Sequence, residues 1–187
     1  MMNRLSYVIR PFPEDRSHEV RWIVDGQDWI GSDAMGLDPD DLGPLLTAVP
    51  QEHLLVARCV CGVIGCGDLR VDMRRTENTV EWHCQGRKPL IFNSTDYDQL
   101  IAQLAQDHSW EPVGRTIERR LNALFRGTRT ADGHVFAWLS TRCKANVLTI
   151  CAIRDGHQLL WEIPWDGRSL EAGMEKGCKF LSDAFVG

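Results

Sequence analysis

Three cysteines and three glycines lie between Cys59 and Gly67, and the thiols are the side chains of this chain best suited to metal or redox chemistry. Thiolates bind Zn²⁺, and two neighbouring thiols form a disulfide reversibly. Free cysteine also serves as a small buried apolar residue. The sequence therefore leaves three interpretations open: structural thiols without a cofactor, a zinc site, or a redox pair formed by Cys61 and Cys66.

A zinc site requires a fourth ligand, because Zn²⁺ in proteins is usually tetrahedral. Cys59, Cys61 and Cys66 supply three, and either Cys84 or His83 supplies the fourth from a following strand. The C-x-C-x₄-C spacing differs from the paired C-x-x-C motifs of zinc ribbons. We therefore expect no cofactor, and treat zinc on Cys59, Cys61, Cys66 and Cys84 as the alternative.

Two strands are expected to position these thiols. The branched and apolar residues of Leu54–Cys61 are typical of a strand, and Asp68–Met73 alternates with the period of two that a half-buried strand shows. The connection 62–65 has a glycine at each end, which favours a hairpin. In a simple register, Cys61 faces Cys66 across the ladder.

Strand and helix patterns along the chain predict an α+β fold, in which antiparallel meanders pack with about three helices. Residues 1–187 are expected to form a single domain, with lobes 1–108 and 109–187 as the alternative. The expected strands are Leu5–Ile9, Glu19–Asp25, Leu54–Cys61, Asp68–Met73, Thr79–Cys84, Pro89–Asn93, His134–Thr141, Val147–Ile153 and Gln158–Trp165. The expected helices begin near Ser94 or Thr95, near Glu111 and near Ser169.

Local signals refine these elements. Pro11 and Pro13 are expected to end the first strand, since proline cannot donate a ladder hydrogen bond. In the strand 134–141, the buried face is either Phe136, Trp138 and Ser140 or the alternate set of Val135, Ala137 and Leu139. Arginines 115, 119, 120 and 126 are expected to form the basic, outward face of the second helix.

An acidic segment at Asp38, Asp40 and Asp41 supports two interpretations. Aspartate commonly caps a helical turn, and the segment leads into Leu42. The same carboxylates also form a candidate contact for a basic protein partner, because net acidity favours such a partner by electrostatic steering.

Composition excludes several functional classes. The 187 residues carry a net charge of −5, whereas nucleic-acid binders usually present a basic face. No apolar run approaches the roughly 18 residues of a membrane helix, and residues 1–11 lack the apolar core of a signal peptide. We expect a cytoplasmic protein without nucleic-acid or membrane partners, whose seven cysteines are mainly reduced.

The hairpin sequence Cys61-Gly-Val-Ile-Gly-Cys-Gly67, followed by Val80-Glu81-Trp82, resembles a group of bacterial proteins that share a cysteine–glycine hairpin and a V-x-W strand. Phe136-x-Trp138-x-Ser140-x-Arg142 and Pro164-Trp165-Asp166-Gly167 are similar to their C-terminal part. The group differs in having a wider spacing of the first cysteines. This resemblance implies no activity and no catalytic residues.

Three functional hypotheses follow. The first is a non-enzymatic protein-interaction domain, such as an immunity or antitoxin protein that binds a basic protein, because the chain is small and acidic and lacks known catalytic motifs. The second is a metal-binding or redox-responsive domain built on the cysteines. The third is an enzyme without a recognisable motif, for which a polar pocket near His83 or His134 would be the first support.

Overall fold

The computed structural model describes residues 1–12, 17–47, 49–61, 63 and 65–186, without the side chains of Pro44 and Leu46. Antiparallel sheets combine with three helices of at least 13 residues in the described chain, which confirms the α+β fold. The chain forms two compact units, Met1–Asp107 and His108–Gly187. Pro13, Gly62 and Ile64, which entered the sequence predictions, lie outside the described residues.

The first unit contains a three-stranded sheet, a five-stranded sheet and one long helix. Its elements are β1 (Leu5–Phe12), β2 (Ser17–Val24), β3 (Gln27–Asp28), β4 (Ala34–Gly36), a 3₁₀ turn (Pro39–Leu42), α1 (Gly43–Leu46), β5 (Gln51–Cys59), β6 (Leu69–Arg75), β7 (Thr79–His83), β8 (Leu90–Asn93) and α2 (Ser94–Gln106). The sheet orders are β1-β2-β3 and β4-β5-β6-β7-β8. The predicted strands Leu54–Cys61, Asp68–Met73 and Thr79–Cys84 thus correspond to β5, β6 and β7, the centre of a larger sheet.

The first unit's core is built on aromatic side chains that alternate inward. Val20, Trp22 and Val24 are buried on β2, as the period of two predicts. Trp82 of β7 is fully buried, and its ring lies edge-on to Trp22 at a centroid distance of 5.6 Å. This core fixes the inner faces of the strands that lead into the cysteine-rich segment.

Two boundaries of the first unit differ from the sequence prediction. The first strand continues through Pro11 to Phe12, because β1 is an edge strand and the missing N–H costs no ladder bond there. The cap of α2 is Asn93, whose Oδ1 accepts from the N–H groups of Thr95 and Asp96, so Ser94 is already helical.

The second unit is a five-stranded sheet with two helices. Its elements are α3 (Val113–Phe125), β9 (Arg129–Thr130), β10 (Val135–Ser140), β11 (Val147–Arg154), β12 (His157–Pro164), α4 (Leu170–Ala184) and β13 (Phe185–Val186), and the strand order is β12-β11-β10-β9-β13. β11 lies between β10 and β12, and its residues from Val147 to Ala152 are buried. This confirms the central strand that its continuous apolar run predicts.

Both alternatives for the inward face of β10 are half right. The pairing of β10 with β11 shifts register between Phe136 and Trp138, and Phe136 and Leu139 are the buried residues. The irregularity moves the inward face from even to odd positions.

The basic face predicted for α3 is wrong at Arg115. This guanidinium is 3% exposed and contacts Glu118 at 3.3 Å. Glu118 in turn accepts hydrogen bonds from the hydroxyls of Ser140 at 2.9 Å and Thr141 at 3.1 Å, and so ties α3 to the end of β10. A buried charge needs polar partners. Arg115 has Glu118 on its own helix, and Glu118 has the hydroxyls of Ser140 and Thr141 at the end of β10.

Candidate metal centre

The connection between β5 and β6, residues 59–68, holds the cysteines and is called here the cysteine loop. The β5–β6 ladder ends at the pair Ala57 and Leu69, and Cys59 pairs instead with Ala34 of β4. Cys61 and Cys66 therefore do not face each other across a ladder, as the simple hairpin predicted. A register shift between Leu55 and Ala57 already disturbs the ladder before the loop begins.

Asp68 holds the far side of the cysteine loop. Its carboxylate Oδ2 accepts from the Gly65 N–H at 3.2 Å and from the Arg70 guanidinium at 2.9 Å. Arg70 also donates to the carbonyl oxygen of His53 on β5 at 3.0 Å. Gly65 has a φ of +82°, a conformation that glycine adopts without strain. These contacts anchor the turn next to Cys66 on the framework of the sheet.

The three cysteines of the loop converge. The Sγ atoms of Cys59, Cys61 and Cys66 all lie within 4.8 Å of one another. Cys61 and Cys66 are exposed and Cys59 is half-buried, which argues against the interpretation of all three as small core residues. The arrangement is a cluster of thiols open to solvent, at the end of a rigid strand pair.

The thiols of the cluster differ in acidity. The Val63 backbone N–H donates to the Cys61 sulfur and, with smaller contributions from the Cys59 and Cys66 thiols, lowers the Cys61 pKa. The pKa of Cys66 rises to about 11, chiefly because its thiol hydrogen-bonds to Cys61 and faces the negative charge that forms there. One thiolate forms readily, and a second beside it is costly unless a cation is present.

Cys84 lies apart from the three other predicted ligands. It follows β7, which is separated from β5 by β6, so its backbone lies about 10 Å or more from that of β5. Its side chain packs against the core of the first unit, and this burial raises its pKa. The structure brings together Cys59, Cys61 and Cys66, and it does not bring Cys84 to them.

The acidic segment is a capped turn. The Asp38 side chain accepts from the Asp40 N–H at 3.1 Å and caps the 3₁₀ turn. Asp40 and Asp41 are exposed. The structure thus shows the capping role of Asp38, and the binding of a basic partner by this segment stays a prediction.

The two histidines considered for an unrecognised enzyme each contact a nearby carboxylate. His83 Nε2 lies 2.8 Å from Glu81 Oε2, and His134 Nδ1 lies 3.1 Å from Asp132 Oδ1. Neither of these two pairs includes a thiol or hydroxyl, whereas the cysteine loop brings three thiols together, so the cysteine loop is the stronger candidate site.

Sequence reasoning missed Asp68 and Arg70 as supports of the site. The signal available in the sequence is their position. Asp68 and Arg70 are the first charged residues after Cys66, and Asp68 directly follows Gly67. The Val63 N–H carries no sequence signal, because every residue except proline has one.

Comparisons of the chain with protein-family models, with curated proteins and with solved structures find no match. Among the residues that the structure describes, no helix is long and apolar enough to cross a membrane.

Proposed function

We propose that this protein binds a thiophilic divalent cation of the zinc class through Cys59, Cys61 and Cys66. The observation that carries the proposal is the convergence of three Sγ atoms to within 4.8 Å of one another. Thiolates are soft ligands that select such metals over Mg²⁺ or Ca²⁺.

Metal binding requires less movement of the cluster than disulfide formation does. A Zn–S bond of about 2.3 Å in a tetrahedral site places two sulfurs about 3.8 Å apart, and the observed limit of 4.8 Å is no more than about 1 Å wider. A disulfide requires about 2.05 Å. The cluster also contains three thiols, and a single disulfide would leave one of them unbonded.

The acidity pattern supports the same proposal. The raised pKa of Cys66 reflects the proximity of Cys61, and a cation between the two thiols relieves that repulsion. The Val63 N–H contacts the Cys61 sulfur directly, as the outer contacts that orient metal ligands do, and Asp68 holds the backbone at Gly65 next to Cys66.

The test is a zinc titration of the full chain against a chromogenic chelator under reducing conditions. Replacing one of the three thiols, as in Cys61→Ser, is expected to weaken zinc binding more than about 100-fold, beyond the 10–100-fold cost of losing an outer contact. The matched control is Cys178→Ser, which removes an exposed thiol from α4 and should leave the affinity unchanged.

Equal zinc affinity of wild type and Cys61→Ser would show that the loop is not the binding site. Loss of affinity in Cys178→Ser as well would indicate non-specific binding by surface thiols. Circular dichroism of each variant checks that the fold is retained.

The acidic segment is a second proposal, favoured by the exposure of Asp40 and Asp41. Since Asp38 caps the turn, these two carboxylates are the ones we expect to contact a basic protein partner, in the predicted cytoplasmic setting. Neutralising them as Asp40→Asn with Asp41→Asn should slow association, and the effect should shrink as salt rises. An unchanged association rate at low salt would contradict this proposal.

A further inference from the structure

The cysteine loop supplies three metal-binding side chains and has no obvious fourth. Apart from the cysteines, the loop residues before Asp68 are valine, isoleucine or glycine, whose side chains carry no donor atom: Val60, Gly62, Val63, Ile64, Gly65 and Gly67. Among the described residues, the group of candidate ligands at this place consists of Cys59, Cys61 and Cys66.

Asp68 is the nearest carboxylate in sequence, and one of its two oxygens is already engaged. Its side chain is 4% exposed, and Oδ2 accepts from both the Gly65 N–H and Arg70. No carboxylate oxygen of Asp68 belongs to the cluster of atoms within 4.8 Å. Its other oxygen, Oδ1, is buried without a hydrogen-bond partner among the described residues, so Asp68 would serve as a ligand only if Oδ1 moved closer to the three sulfurs.

Cys84 and His83 are the other ligands that the sequence suggested, and neither belongs to the group of converging ligand atoms. One whole strand, β6, separates β7 from β5, and the Cys84 side chain packs against the core. Cys84 follows the last pair of the β6–β7 ladder, Asp72 with His83, and to reach the loop it would have to leave the core. The chain therefore offers three thiolates to a metal that usually takes four ligands.

The cluster is open to solvent, and its sequence neighbours are apolar. Cys61 and Cys66 are exposed, and the flanking valines are more than half exposed, at 55% for Val60 and 59% for Val63. A soft metal that is held by thiolates prefers a further soft donor to an oxygen ligand, and a small apolar body suits exposed valine neighbours. A small thiol combines these two properties.

We propose that a metal held by Cys59, Cys61 and Cys66 keeps its fourth coordination position open to an external low-molecular-weight thiol. The thiol binds as thiolate: its proton passes to the buffer, a solvent molecule leaves the metal, and no electrons are transferred. Three protein ligands with one exchangeable position are the arrangement of reactive rather than purely structural zinc sites. This inference rests on the proposed metal-binding function.

The experiment loads the full chain with Co²⁺, which replaces Zn²⁺ and absorbs light, under anaerobic conditions and with protein in excess over metal. The sample is titrated with 2-mercaptoethanol, and ethylene glycol serves as the oxygen analogue of similar size. Binding of a fourth thiolate should raise the sulfur-to-cobalt charge-transfer absorbance by about a third, as four thiolates replace three. The rise should saturate, and ethylene glycol should produce none.

Each other outcome has a distinct meaning. A Co²⁺ sample without any charge-transfer band overturns the proposed metal-binding function itself. A band that 2-mercaptoethanol leaves unchanged overturns only the open position. A charge-transfer absorbance that falls by one thiolate's share in Cys84→Ser also overturns the open position, because the chain itself would then supply the fourth ligand. Cys84→Ser is expected to leave the spectrum and the thiol response as in wild type.

Discussion

Cys61 and Cys66 have opposite acidities although both are exposed residues of one short loop. The Cys61 pKa is lowered by the Val63 N–H, whereas the Cys66 pKa is raised from 9.0 to about 11 by its neighbour Cys61. A raised thiol pKa means less thiolate at a given pH, and two units correspond to about 100-fold less. Reactivity towards alkylating agents follows the thiolate.

We predict that iodoacetamide modifies Cys61 before Cys66 in the metal-free, reduced protein near neutral pH. Because the Cys61 thiol is the main cause of the raised Cys66 pKa, Cys61→Ser should accelerate alkylation of Cys66. Peptide mapping by mass spectrometry at several pH values measures both rates. If Cys66 reacts first, or no faster in Cys61→Ser, the described coupling of the two thiols is wrong.

Asp68 acts on the site through the backbone of the loop. The change Asp68→Asn weakens its acceptance from the Gly65 N–H and Arg70 and should lower zinc affinity about 10- to 100-fold without removing a ligand. Asp72→Asn on β6 is the matched control, because that carboxylate accepts from the His53 N–H outside the loop. Competition with a chelator measures both variants, and similar losses in the two would argue against a specific role for Asp68.

At the scale of elements, β4 fixes the strand that carries Cys59. Gly36 of β4 pairs with Ala57 of β5, and a Cβ at Gly36 would overlap the carbonyl oxygen of Val20. The Gly36 N–H also donates to Glu19 Oε2 at 2.7 Å. β4 therefore has no room for a side chain at this position.

We predict that Gly36→Ala lowers the free energy of unfolding by about 1–3 kcal/mol, the usual cost of overpacking. Gly43→Ala is the matched control, since Gly43 has helical φ and ψ and a Cβ there meets nothing within 4 Å. A proline follows Gly43 in the sequence and disfavours a Cβ in this conformation, so we expect a cost for Gly43→Ala that is smaller than that of Gly36→Ala. Chemical denaturation measures both, and a Gly36→Ala variant as stable as Gly43→Ala would contradict the close packing of β4 against β2.

Elements whose faces are decided by burial were predictable from the sequence. The alternation on β2 and at Val80 and Trp82 of β7 is confirmed, because the hydrophobic period of two selects the inward side chains. The ladder pairing of Cys61 opposite Cys66 was wrong, since it assumed a regular ladder up to the loop. The β5–β6 register shifts between Leu55 and Ala57 and the ladder ends at Ala57, and β4, which pairs with the other edge of β5, is a three-residue strand with no sequence pattern of its own.

At the scale of the whole molecule, the sequence predicts the class of the fold but not the contacts that make the site. Cys59, Cys61 and Cys66 were proposed together from their spacing, whereas Cys84 was added from an assumed neighbouring strand. The order of strands in the five-stranded sheet decides that question, and strand order is a non-local property. The burial of Arg115 was missed for the same reason, because Ser140 and Thr141, which bond its partner Glu118, lie on another element.

The central claim is that one metal ion binds at the cysteine loop. Native mass spectrometry of the reduced full chain with a small excess of zinc tests this claim most directly. We predict one tightly held zinc per chain in wild type and in the Cys84→Ser, Cys143→Ser and Cys178→Ser variants. We predict none in a variant with Cys59, Cys61 and Cys66 all replaced by serine. Zinc retained by that triple variant, or absent from the folded wild-type protein, would contradict the account.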